Sequence, residues 1–150
     1  MIDWYKKVMF ENYANFSGRA RRSEYWYFTL CNIIIQGLLY ILILLIAGIF
    51  ANANADENSI GIGAGILMMI LGLYGLISFI PGLAVTVRRL HDTGKSGWML
   101  LLYIIPLIGP ILLIVWLATE GMPGTNQWGQ NPKEENNFID EIGKQIEDRF

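Results

Sequence analysis

His91 and Asp92 are the one pair in this sequence with the makings of acid–base chemistry. An imidazole that titrates near neutrality, beside a carboxylate, can act as general acid or base. Neighbours in sequence seldom face each other as a hydrogen-bonded pair, however, and a single histidine cannot build a metal site alone. No activated serine or cysteine signature, no phosphate-binding glycine loop and no second ligand cluster accompanies them. The triplet Asp92-Thr93-Gly94 occurs in aspartic proteases, but here it lacks the apolar strand and reads as a tight turn. The expectation is a protein that is not an enzyme, with no metal and no cofactor. An enzyme acting on lipid headgroups through His91 and Asp92 is kept as an alternative.

The arginines suggest a different chemistry. Arg19, Arg21 and Arg22, with Glu24, precede one long apolar stretch; Arg88 and Arg89, with His91 and Asp92, follow another. Guanidinium forks match carboxylates and phosphates, and basic residues beside a bilayer each gain roughly 1 kcal/mol from anionic lipid. These eight residues are therefore the candidate lipid- or partner-binding cluster, against the plainer reading of basic residues as topology anchors. Arg21 lies three residues before Glu24 and is its expected helical partner. The loop arginines are expected to meet Glu24 and Asp92. The partners implied are membrane lipid, anionic in character, a second copy of the chain, or another membrane protein, and no nucleic acid.

The elements that position these residues follow from composition. Charged residues are 16% of the 150, against about 25% in an ordinary soluble domain. None occurs within residues 25–55, 58–87 or 96–119. That excludes a disordered chain, a soluble enzyme with a polar surface and a nucleic-acid module. A membrane helix needs about 20 apolar residues, and the three windows supply candidates at about 27–50, 60–87 and 98–119. A chain of this length has nothing left to bury three such helices in water. The fold class is thus an all-α integral membrane protein with three transmembrane helices. An N-terminal interfacial amphipathic helix over residues 2–13 carries the stripe Trp4, Tyr5, Val8, Met9 and Tyr13. A short acidic tail helix occupies 133–150, with Phe138, Ile139, Ile142, Ile146 and Phe150 on one face.

Lys and Arg counts set the orientation. Five precede the first helix, none lies in the first loop and three lie between the second and third. The expectation is a cytoplasmic N-terminus and, after three crossings, a C-terminus outside. Pro106, Gly109 and Pro110 qualify this, because they can break the third stretch into a kinked or re-entrant segment and return the tail to the cytoplasm.

The second stretch carries a glycine seam. Gly61, Gly65, Gly72, Gly75 and Gly82 share one helical face with Met68 and Phe79. Close backbone approach is what holds helices together in lipid, so these are the expected packing residues, within the chain or against another copy. A subunit of a transport or channel assembly is the second function alternative. Against it, no ionisable group that would mark an ion path lies within the stretches, where Asn32, Gln36 and Ser78 are the notable polar residues.

Four motifs, in order, give the chain a family look. They are Asp3-Trp4-Tyr5; residues 18–26, Gly-Arg-Ala-Arg-Arg-Ser-Glu-Tyr-Trp; residues 88–98, from Arg88-Arg89 to Gly97-Trp98; and Pro123-Gly124-Thr125-Asn126 with Trp128-Gly129 and Asn131-Pro132. Together they resemble the family called domain of unknown function 805, over residues 1–132, which is the expected membrane domain. The resemblance implies a small polytopic protein of the bacterial cytoplasmic membrane. It implies no activity, substrate or catalytic residue.

Overall fold

The computed structural model describes residues 1–52 and 57–134, with 142, 145 and 146, and side chains outside 50–60. The acidic tail helix expected over 133–150 falls almost wholly outside the described residues. Among those described the protein is helical, with a single bridge between Asn126 and Gly129 as its extended pairing.

Two long helices dominate, α2 (Arg22–Asn52) and α3 (Glu57–Asp92). At 1.5 Å per residue both exceed the ~30 Å of hydrocarbon in a bilayer. Glu24 meets Arg88 and Asn32 meets Tyr74, so the pair is antiparallel, and the start of α2 lies beside the end of α3. Most large apolar side chains along both are exposed, the inverse of a soluble core and a good fit to lipid. Between them, Tyr74 donates to Asn32 Oδ1 at 2.7 Å, and Tyr5 shares a 3.2 Å contact with the Tyr74 hydroxyl.

The N-terminal helix, α1 (Ile2–Lys6), runs on as a π-helical turn over Lys7–Glu11. It ends at Asn12, short of the expected Tyr13, because Asn12 leaves helical geometry at φ −126° and returns its N–H to the Lys7 carbonyl. Its expected lipid-facing stripe turns inward instead. Val8 and Met9 are buried with Ala20, Phe28 and Val85, and Tyr5 stacks on Phe28 at 5.6 Å. Apolar groups already matched by side chains at the ends of α2 and α3 gain more from packing there than from the membrane surface. Pro81, inside α3, adds a second tie. It has no N–H for the Ile77 carbonyl, and Tyr13 donates its hydroxyl to that carbonyl at 2.8 Å.

The third stretch departs from expectation. In place of one helix over 98–119 the chain forms a 3₁₀ segment, Gly97–Ile104, and a short helix α4, Ile108–Ala118. Each spans roughly 16 Å by its rise per residue, about half a bilayer. Leu107 joins them at φ +69°, ψ −57°, with Ile108 N–H bonded to the Pro106 carbonyl at 2.9 Å. That is a γ-turn of the strained, positive-φ kind. The proline pair forbids a continuous helical ladder, and Gly109 lets the arms close: a Cβ there would lie 1.7 Å from the Leu102 carbonyl oxygen. The result is a hairpin that enters and leaves at the same end. Its continuation is bonded there, Met122 N–H to the Asp92 carbonyl at 2.8 Å and Arg21 Nε to the Pro132 carbonyl at 3.0 Å. The single helix expected over 98–119 is thus not formed, and the segment that follows is bonded at the end where α2 begins.

Candidate functional site

Three of the four sequence motifs fold into one polar cap at the paired ends of α2 and α3. The entry to α2 supplies Gly18 to Glu24, the last turn of α3 supplies Arg88 to Asp92, and the segment after α4 lies across both. Ala20 N–H bonds the Arg88 carbonyl at 3.0 Å, which fixes the first two against each other. The helix begins at Arg22, and Ser17, in the loop before it, gives its N–H to Asn15 Oδ1.

Asp92 is the hub. Arg19 Nε reaches its Oδ1 at 2.9 Å, and Arg89 bonds its Oδ2. Both guanidinium groups then turn their remaining donors to backbone. Arg19 bonds the carbonyls of Met122 and Gly124, the latter at 2.6 Å. Arg89 bonds those of Leu117, at 3.1 Å, and Thr119. The last two are orphan acceptors at the negative end of α4. Arg89 thereby pins the returning arm of the hairpin. Gly121 passes so close that a Cβ would sit 2.1 Å from Asp92 Oδ2.

Glu24 is the second acid, 2% exposed, and its partner is not the expected Arg21. Arg88 Nη1 bonds Glu24 Oε1 at 2.6 Å, with Lys7 Nζ 3.8 Å from Oε2. Arg21 instead holds Pro132, and Arg22 is exposed, with no ion-pair partner among the described residues. Two donors of Arg88, Nε and Nη2, are buried without a hydrogen-bond partner among the described residues.

His91 and Asp92 do not pair. His91 Nδ1 lies 3.1 Å from the Gly18 carbonyl, so it carries the proton, and the ring stacks on Trp128 at 4.6 Å. Asn126 donates to the His91 carbonyl at 2.9 Å. This last turn of α3 lies in the polar cap, beyond the 60–87 crossing stretch. Burial pushes the His91 pKa below its usual value, and the Gly18 contact opposes that only in part. On the surface, the Lys133 ammonium holds the exposed Glu120 carboxyl below the usual carboxylate range. Among the described residues no group of His, Cys, Asp and Glu is arranged to hold a metal.

The structure thus brings Arg19, Glu24, Arg88, Arg89, His91 and Asp92 into one buried cluster and leaves Arg21 and Arg22 at its rim. The glycine seam is elsewhere. Among the described residues, a Cβ at Gly61, Gly65, Gly72 or Gly75 would meet nothing within 4 Å, and at Gly82 only the Phe28 ring, at 3.8 Å. Among those residues these glycines make no close helix approach. Lys7 and Trp128 are cluster members the sequence did not reveal. Lys7 sits on a helix whose stripe pointed to lipid, and Trp128 sits in a turn-rich segment with no periodicity to place it.

Residues 13–130 match the family described as Protein of unknown function (DUF805). The chain belongs to this family. The Inner membrane protein YhaH of Escherichia coli (strain K12) is 44% identical over 132 residues, covering 88% of this chain and 98% of that one. The Inner membrane protein YhaI of the same strain is 41% identical over 132 residues, covering 88% and 97%. No solved structure matches. As a DUF805 protein with two long apolar helices, the chain has relatives in the inner membrane and a family with no assigned activity.

Proposed function

We propose that this DUF805 protein is a non-enzymatic component of the bacterial cytoplasmic membrane whose polar cap faces the cytoplasm and binds anionic lipid. Its relatives' names place them in the inner membrane, and the Lys/Arg distribution supports a cytoplasmic cap end. Because residues 121–134 belong to the cap, they face the cytoplasm with the N-terminal segment. A reporter fused after Glu134 and active only in the cytoplasm is expected to work; activity of a periplasm-specific reporter there overturns the topology.

The observation that carries the reading is Arg21 and Arg22. They open α2 beside the aromatic residues Tyr25 and Trp26, and neither has a carboxylate partner among the described residues. Basic groups at that depth, without a carboxylate to neutralise them among the described residues, suit anionic headgroups. The catalytic alternative has less support, since His91 is committed to Gly18 and Asp92 to two arginines. The test compares thermal stability in phosphatidylcholine nanodiscs with and without phosphatidylglycerol. The anionic lipid is expected to stabilise the protein, and Arg21→Gln with Arg22→Gln to remove that gain. Equal stability in both lipids sinks the reading.

A further inference from the structure

A second feature of the cap is a charge imbalance. Arg19, Arg88 and Arg89, with side chains 1%, 4% and 0% exposed, and Lys7 at 40%, face only Glu24 and Asp92. Buried charge without compensation is costly. For Arg19 and Arg89 the surplus is met by carbonyl oxygens of the hairpin and the segment after it. For Arg88 and Lys7 it is not. Among the described residues they share one carboxylate, Glu24, and Arg88 retains two buried donors with no acceptor.

Those two cations line a polar cavity of about 380 Å³ between the N-terminal helix, the loop before α2 and the segment around Gly129. One water needs only about 10–15 Å³ of such space, so the cavity takes a molecular group. Asn15, Ser17 and Gln130 add polar side chains to its wall. A carboxylate already occupies the Glu24 side, so the missing species is an oxyanion that accepts several hydrogen bonds and carries at least one charge.

We infer that this cavity is a phosphate-group site, in which Arg88 and Lys7 hold a phosphoryl oxyanion of a phospholipid headgroup or of a soluble phosphoryl compound. Arg88 lines the cavity but its unused Nε and Nη2 are sealed, so a phosphate takes them as donors through a small shift of the wall, while Lys7, the more exposed cation, closes on it as a point charge. The inference rests on the reading above in taking the cap as a headgroup-facing surface, but it uses none of the rim arginines that carry that reading.

The test uses full-length protein in phosphate-free maltoside micelles. Inorganic phosphate, glycerol 3-phosphate and short-chain phosphatidylglycerol are added separately, with native mass spectrometry and thermal stability as readouts. A saturable one-to-one adduct is expected. Lys7→Gln, at a half-exposed position, is expected to weaken it about tenfold, the loss of one charge-assisted bond. Arg88→Met combined with Glu24→Leu removes the buried pair without stranding a charge and is expected to abolish the adduct in protein that still folds. If that double variant does not fold, Lys7→Gln alone decides. An adduct with phosphatidylglycerol alone assigns the site to lipid, and one with the soluble phosphates assigns it to a soluble ligand. No adduct with any of the three, or affinity unchanged by the variants, overturns the site. Nanodisc stabilisation that depends on Arg21 and Arg22 but comes without an adduct leaves the lipid reading standing and the cavity refuted. An adduct in the micelles without nanodisc stabilisation does the reverse.

Discussion

The helix pair and the cap are built on opposite principles. Along the apolar stretches of α2 and α3, side chains point outward, four of the five seam glycines have open space among the described residues where a side chain would go, and Asn32 and Tyr74 are bonded across the pair. In the cap, six charged or titratable side chains are buried, and donors of Arg19 and Arg89 are spent on named carbonyls. The difference follows from solvent. Lipid is as apolar as the helices, so the crossing stretches gain little by touching, while ions at the membrane edge gain a great deal by meeting. The helices supply insertion; the cap decides which ends meet and where the hairpin returns.

That comparison makes Asp92 the largest expected loss. Asp92→Asn keeps the shape but leaves Arg19 and Arg89 without their shared anion. Breaking a buried pair from one side costs about 3–5 kcal/mol, and two cations depend on this one. Denaturant unfolding in micelles is expected to show a loss of at least that size. A loss near that of a surface substitution breaks the comparison, because the cap would then not be what holds the ends together.

The next effects set glycine against glycine. Gly109→Ala drives a Cβ into the Leu102 carbonyl and is expected to cost about 1–3 kcal/mol or more as overpacking, with the hairpin opening to protease. Gly72→Ala and Gly75→Ala add a methyl to open space and gain up to ~1 kcal/mol of helix propensity. Stability of the monomer is expected to hold or rise. If either seam substitution instead lowers stability or dissociates a larger species in sedimentation, the open face is filled by a second copy of the chain.

The sequence carried the helix pair plainly, because each charge-free run of the pair is long enough to span a bilayer and holds no proline pair to break it. It carried most of the cluster's membership too, without Lys7 and Trp128, since Arg19, Glu24, Arg88, Arg89 and Asp92 flank the runs that must bring them together. It did not carry the pairing. Arg21 was the local partner for Glu24 by spacing, but the winner was Arg88, 64 residues away, because only antiparallel packing makes that contact short. The hairpin was half legible. Pro106 and Pro110 signal a break, but apolar length and charge counts cannot distinguish one crossing from two half-crossings. That took Arg89 on the carbonyls of Leu117 and Thr119, and a tertiary bond to backbone leaves no trace in residue type.

His91 provides the smallest and most selective probe of the cap. Burial lowers its pKa in the folded protein, so folding favours the neutral ring that donates to Gly18 and stacks on Trp128. As pH falls through about 6.5, the reference value of an unfolded histidine, the unfolded chain takes up a proton that the folded chain refuses. Stability therefore falls with pH and levels off only below the folded pKa. Glu120, also depressed, acts in the same direction but only below its own reference value near 4.5, so the window from pH 7 to 5 isolates the imidazole. The melting temperature is expected to drop across that window, and His91→Gln, which keeps a donor and cannot titrate there, is expected to flatten the curve. An unchanged slope in His91→Gln refutes the imidazole of the cap as the source of the pH dependence.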